Sequence, residues 1–138
     1  MTALTNRATR PLSDSTDSLL RFAMRADATL TGFTGLAIAA AADQLSALTG
    51  LTPVVEYGLG AVFVFYGLAV FSLAALPNLR RAGIGVVIAN IVSTVAAVAL
   101  VVDDVLPLTA TGVVATLATG VYTAFFAFLQ YLGVRRLA

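Results

Sequence analysis

Asp27 is the side chain best placed to do chemistry in this sequence. It stands two residues after Arg25 at the start of a long apolar run, with Thr31 and Thr34 on the same helical face at i+4 and i+7. A carboxylate entering such a run needs a partner, and Arg25, Arg80, Arg81, Arg135 and Gln130 are the candidates. Its ordinary reading is a salt bridge or an interfacial anchor. Its functional reading is a proton or cation site at the mouth of a helix bundle. Asn90 lies about 12 Å into another apolar run by helical rise, with Ser93 and Thr94 close by on the helix surface. An amide at that depth must face protein, either as interhelical glue or as a ligand contact. The last run carries Gly112, Thr116, Thr119, Thr123, Phe126 and Gln130 at alternating spacings of four and three. Threonines in such a stripe commonly bond back to a carbonyl of the preceding turn. The alternative is that Asp27, Asn90, Thr116, Thr119, Thr123 and Gln130 line a polar path.

Other chemistry lacks its residues. The chain has no His and no Cys. Haem ligation, the common zinc sites, thiol redox work and His-based acid–base catalysis are therefore excluded. There is no phosphate-binding glycine loop, no nucleophile elbow, no acidic metal motif and no basic patch suited to nucleic acid. The expectation is a protein that is not an enzyme, with no cofactor, no metal and no nucleic-acid partner. Asp43, Glu56, Asp103 and Asp104 read as solvated helix ends, and Tyr57, Tyr66, Tyr122 and Tyr131 as an interfacial belt.

These groups sit on an apolar scaffold. Of 138 residues, 59% are hydrophobic and 11% charged, too few charges to wet a soluble domain of this size. Four runs are long enough to cross a hydrocarbon core of about 30 Å, which takes roughly 20 helical residues. They cover about 28–48, 53–76, 82–102 and 106–132. Their continuity excludes the period-two pattern of barrel strands. The predicted fold is an all-α, up-and-down bundle of four transmembrane helices within residues 18–136.

All eight basic residues are Arg. Arg7, Arg10, Arg21 and Arg25 precede the first run, Arg80 and Arg81 lie between the second and third, and Arg135 and Arg136 follow the fourth. Four spans put all of them on one side, so the positive-inside rule expects both termini in the cytoplasm. Residues 1–17 are rich in Ser and Thr and read as a disordered tail. A cleavable leader fits poorly, because the region before the apolar run is long and Gly32, Thr34 and Gly35 weaken its core. Short connections leave no room for an extramembrane domain. Thr52 is expected to cap the second helix with Pro53 at its first position, and Pro107 to lie in the first turn of the fourth.

Small residues recur at heptad-like spacing: Ala28, Gly32, Gly35, Ala39 and Ala42 in the first run, and Gly60, Gly67 and Ala74 in the second. Gly85, Ala89, Val92, Ala96 and Ala99 repeat the pattern in the third. Such seams let backbones approach where no hydrophobic drive exists. Gly32, Gly35, Gly60, Gly67, Gly85 and Gly112 are accordingly expected at helix contacts. The phrase Leu20-Arg21 through Asp27-Ala28-x-x-x-Gly32-x-x-Gly35-Leu36, with Phe128-Leu129-Gln130-Tyr131-Leu132-Gly133-x-Arg135-Arg136, resembles small uncharacterised four-helix integral membrane proteins of high-GC Gram-positive bacteria. That resemblance implies a fold and a bacterial cytoplasmic membrane, and no activity. Small multidrug-resistance exporters differ at a decisive point: they carry a Glu in the middle of the first helix, and residues 28–42 here hold no carboxylate. The leading expectation is a non-enzymatic accessory or interaction subunit whose partners are the lipid bilayer and another membrane protein or a second copy. The alternative is a small transporter or channel using the polar path.

Overall fold

A computed structural model describes residues 16–137, and the Thr/Ser-rich segment before residue 16 lies outside them. Five α-helices follow: α1 (Ser18–Ala40), α2 (Ala42–Thr49), α3 (Pro53–Leu73), α4 (Arg80–Val102) and α5 (Ala110–Arg135). The described residues contain no strand. Three of the helices, α3, α4 and α5, are long and apolar enough to cross a membrane. α1 falls outside that set because Arg21, Arg25 and Asp27 share its first half. Between the two ends the outer surface is largely apolar. Phe33, Phe65, Val95, Val121 and Phe128 are all more than 60% exposed, the reverse of a water-soluble protein.

Local chemistry explains the element ends. The first apolar run is broken at Ala41, so α1 and α2 are separate helices. α2 stops at Gly50, which has a left-handed φ of 86°; a Cβ there would lie 2.1 Å from the Pro107 carbonyl oxygen. Thr52 accepts from the Val55 amide at 3.3 Å, with Pro53 in the first turn of α3. α5 starts at Ala110 rather than 106, because Thr109 accepts from the Gly112 amide at 3.1 Å; Pro107 stays in the loop. α3 ends at Leu73, three residues short of expectation, and the Arg21 guanidinium reaches across to the freed carbonyls of Ala74 and Leu76.

Two helix pairs, α1 with α3 and α4 with α5, make most of the contacts, and α1 packing on α5 joins them. α3 and α4, although consecutive, hardly touch. The α1–α3 pair is a glycine seam. A Cβ on Gly35 would come within 2.6 Å of the Gly60 carbonyl oxygen, and one on Gly67 within 2.7 Å of the Ala28 carbonyl oxygen. Gly32 lies beside Gly67. Gly112 faces the Thr49 carbonyl oxygen, where a Cβ would be at 2.2 Å. Gly85 is different: nothing lies within 4 Å of its would-be Cβ. The heptad of small residues in α4 therefore points outward. Gly83, Val86, Asn90 and Ala97 form the buried face instead, because the polar partners of Asn90 fix the rotation of α4.

Leu20 on α1 packs against both Gly83 and Gly133, which gathers Arg21, Arg25, Arg80, Arg81, Arg135 and Arg136 at one end of the bundle. Leu20, Met24 and Leu79, with at most 2% exposure, seal that end. At the opposite end the Thr109 amide donates to the Thr49 carbonyl at 2.9 Å, and Thr49 donates to Glu56. Asp43, Asp103 and Asp104 are exposed there. Glu56 is not a solvated end; it is buried at 3% exposure with Thr49 as its donor.

Gly35→Leu is expected to lower stability by about 1–3 kcal/mol or more, since the added atoms meet backbone that cannot yield. Gly85→Leu should stay within about 0.5 kcal/mol. Thermal denaturation in a mild detergent, followed by helical circular dichroism, compares the two.

Candidate functional site

Asp27 lies about 10 Å further along α1 than Leu20, above the sealed basic end. Its side chain has no solvent exposure. Oδ1 accepts from Thr31 Oγ1 at 3.0 Å and Tyr122 OH at 3.1 Å. Oδ2 accepts from Tyr66 OH at 2.7 Å, Asn90 Nδ2 at 2.9 Å and Gln130 Nε2 at 2.9 Å. Asn90 Nδ2 also donates to Gln130 Oε1 at 2.8 Å, and Tyr122 OH also contacts Thr31 Oγ1 at 2.9 Å. One carboxyl group thus gathers uncharged donors from α1, α3, α4 and α5. No buried side-chain polar atom among the described residues lacks a partner.

The partner expected for Asp27 was an arginine or Gln130. Gln130 is present. Arg25 is exposed, and Arg21 is committed to Asp17, at 2.7 Å, and to the carbonyls of Ala74 and Leu76 just past α3. No ion pair among the described residues reaches Asp27. The geometry explains this: the arginines sit at the basic end, and the Leu20–Met24–Leu79 layer lies between them and the carboxyl.

Equal depths along two antiparallel helices would set Asn90 beside Thr119, and the register observed is different. Asn90 bonds Gln130, whereas Thr94, one turn further on, meets Thr123 Oγ1 at 2.7 Å and the Gly120 carbonyl at 3.2 Å. Asn90 and Thr119 do not bond. The seven-residue α4–α5 loop and the late start of α5 shift the pairing by more than a turn from a register drawn from equal depths. Thr116 and Thr119 bond back to the carbonyls of Gly112 and Ala115, at 2.8 and 2.9 Å. Thr116 takes no part in the site.

Tyr66 and Tyr122 are the residues that sequence reasoning missed. Both are central members of the cluster rather than belt residues. Tyr66 is 13 residues from the start of α3 and seven from its end, about 10 Å from the nearer terminus, and its hydroxyl reaches inward to Asp27. Tyr122, Phe126 and Gln130 follow at i, i+4 and i+8, so one face of α5 carries all three. That spacing is the signal that would have found Tyr122.

A cavity of about 330 Å³ lies against the acidic-end side of this cluster. Tyr66, Tyr122, Asn90 and Thr31 form its floor and screen Asp27 from it; Phe63, Thr34, Ser93, Thr119 and Thr123 are among its walls. Every lining group is neutral. The volume falls within the range of small-molecule sites, and the lining of rings, methyls and a few convergent hydroxyls has the composition of one. No group of His, Cys, Asp or Glu able to hold a metal occurs among the described residues. Comparison with protein-family models, with curated proteins and with solved structures yields no match.

Because Asn90 and Gln130 bond each other and share Oδ2, their energies must couple. A double-mutant cycle on Asn90→Leu and Gln130→Leu, read by reversible unfolding in detergent, should give an interaction energy of about 0.6–2 kcal/mol. Additivity within about 0.3 kcal/mol would remove the pair from the cluster.

Proposed function

We propose that the chain is an integral membrane protein that crosses the bacterial cytoplasmic membrane four times, with both termini in the cytoplasm. On this reading its central cavity is a membrane-embedded binding site, as in a small transporter or solute-binding subunit, and it performs no covalent chemistry. The observation that carries this reading is the buried Asp27, held by five uncharged donors from the four long helices directly beneath a cavity that reaches Asn90. Burying a carboxyl without a counter-charge is costly, and such groups inside apolar bundles generally serve a transported or bound species. α1 joins the span set on this reading because its charged first half faces the bundle interior or the arginine-bearing end. The distribution of arginines supports the orientation. An accessory or interaction subunit, held by the α1–α3 glycine seam, is the second reading; the completeness of the hydrogen bonding favours it, since a fully satisfied cluster also serves as a clasp.

The natural absence of cysteine allows both points to be tested in one experiment. Single cysteines at Gln44, Thr119 and Val121 are exposed to maleimides in intact cells. Maleimide reacts with thiolate, which needs water. Gln44→Cys should react with a membrane-impermeant reagent added outside. Thr119→Cys, in the cavity wall, should react with a permeant reagent at least about tenfold faster than Val121→Cys on the outer surface. Equal inertness of Thr119→Cys and Val121→Cys would contradict a hydrated site, and protection of Gln44→Cys from the external reagent would contradict the topology.

A further inference from the structure

We propose that the cavity takes a lipophilic organic cation, one quaternary or protonated amine on a small aromatic or aliphatic body, that enters sideways between α3 and α4. The proposal rests on the cavity being a binding site, and it adds the chemical class of the occupant and its route.

The route follows from what is closed. The basic end is plugged by Leu20, Met24 and Leu79. The acidic end is tied by Thr109 to Thr49, by Glu56 to Thr49, and by the close approach of Gly112 and Gly50 to their neighbours. Along the sides, α1 packs on α3, α4 on α5, and α1 on α5; among the described residues the α3 and α4 backbones do not approach closely, and their side chains meet near the basic end, where Val70 and Val86 share the core. Val62 of α3 and Ser93 of α4 line the cavity and are exposed, with Val62 at 62%. Beside that seam the surface of α3 is apolar, with Phe65 at 72% exposure. A solute arriving there has already left water.

The sign follows from the charges. The cavity lining holds no arginine, and the nearest charged group beneath the floor is a carboxyl. In its ionised form Asp27 is uncompensated by any cation, so an anion in the cavity is repelled and a cation attracted, strongly in a medium of low dielectric constant. Phe63, Tyr66 and Tyr122 line the cavity, and aromatic rings bind alkylammonium groups at their negative faces. Tyr66, Tyr122 and Asn90 each touch both the cavity and Asp27. Their donated protons point at Asp27, so the negative ends of these bond dipoles point away from it. The hydroxyls of Thr34, Ser93 and Thr119 add acceptors at the walls. A strongly hydrated inorganic ion finds too few oxygens here to replace its water, whereas a weakly hydrated organic cation needs few.

The test uses the full chain in detergent micelles, with carbon-13-labelled tyrosine. The probes are benzyltrimethylammonium and neopentylbenzene, which has the same shape with carbon in place of the charged nitrogen, at concentrations corrected for partition into the micelle. The cation should shift the Tyr66 and Tyr122 signals saturably, at a midpoint at least about tenfold below that of the neutral probe. Ser93→Phe, which fills the seam at a residue whose only side-chain hydrogen bond among the described residues is to the Ala89 carbonyl, should abolish both shifts. Asp27→Asn, where it folds, should equalise the two midpoints. Equal midpoints in the wild-type chain would overturn the assignment of charge while leaving a neutral-ligand site. An undiminished shift in Ser93→Phe would overturn the route. The absence of any saturable shift, with Thr119→Cys still reactive to maleimide, would overturn the proposal and leave the hydrated cavity standing.

Discussion

Everything in this bundle is arranged around the two carboxyl oxygens of Asp27. Five donors from four helices converge on them within 3.1 Å, and each donor fixes the rotation of the helix that carries it. In an apolar surround, an unmet acceptor costs several kcal/mol, so an alternative packing that rotated α3, α4 or α5 would expose that cost. Hydrogen bonds of this kind contribute little to net stability and much to the choice of one arrangement among many similar ones. The clearest consequence is in α4. Its small-residue stripe through Gly85 offers a plausible seam, yet the helix is turned so that Asn90 points inward and the stripe faces out.

The cavity follows from the same constraint combined with glycine packing. Gly35, Gly60 and Gly67 draw α1 and α3 to backbone contact, and Gly120 and Thr94 hold α5 close to α4. Two tight pairs, joined through α1 and α5, cannot also close the gap between α3 and α4. The bundle is therefore sealed at the basic end, tied between α2, α3 and α5 at the other, and split along one side. The phenolic oxygens of Tyr66 and Tyr122 span the centre at the level of Asp27, and beyond them no side chain is large enough to fill the space between Thr34, Phe63, Ser93 and Thr119.

Much of this was legible in the residues before any coordinates. The apolar runs marked the helical segments, although the first is split at Ala41, Thr52-Pro53 marked the start of α3, and Gly35, Gly60 and Gly67 lie where α1 and α3 approach. Asp27, Asn90 and Gln130 stand out as polar groups in apolar runs, and the structure brings all three into one hydrogen-bonded cluster. What was not legible has physical reasons. Register depends on where α5 begins, and Thr109 decided that by capping, four residues beyond the point that hydropathy suggests. The charge partner of Asp27 depends on what lies between it and the arginines, which composition along the chain does not reveal. Tyrosine is equally at home in an interface and in a buried network, so only depth along the helix separates Tyr66 and Tyr122 from Tyr57 and Tyr131. Glu56 was misread because Thr49, its donor, comes from the other side of a turn.

The most direct measurement is of the side-chain amides. The chain has three Asn and two Gln, so its carboxamide signals in a nitrogen-15 spectrum are few enough to assign by single substitutions. The amide protons of Asn90 and Gln130 are expected to exchange with water far more slowly than those of the exposed Asn78 and Gln44, and to lose that protection together in Asp27→Ala. Exchange of Asn90 and Gln130 as fast as that of Asn78 and Gln44 in the wild-type protein would contradict the cluster and, with it, the site built upon it.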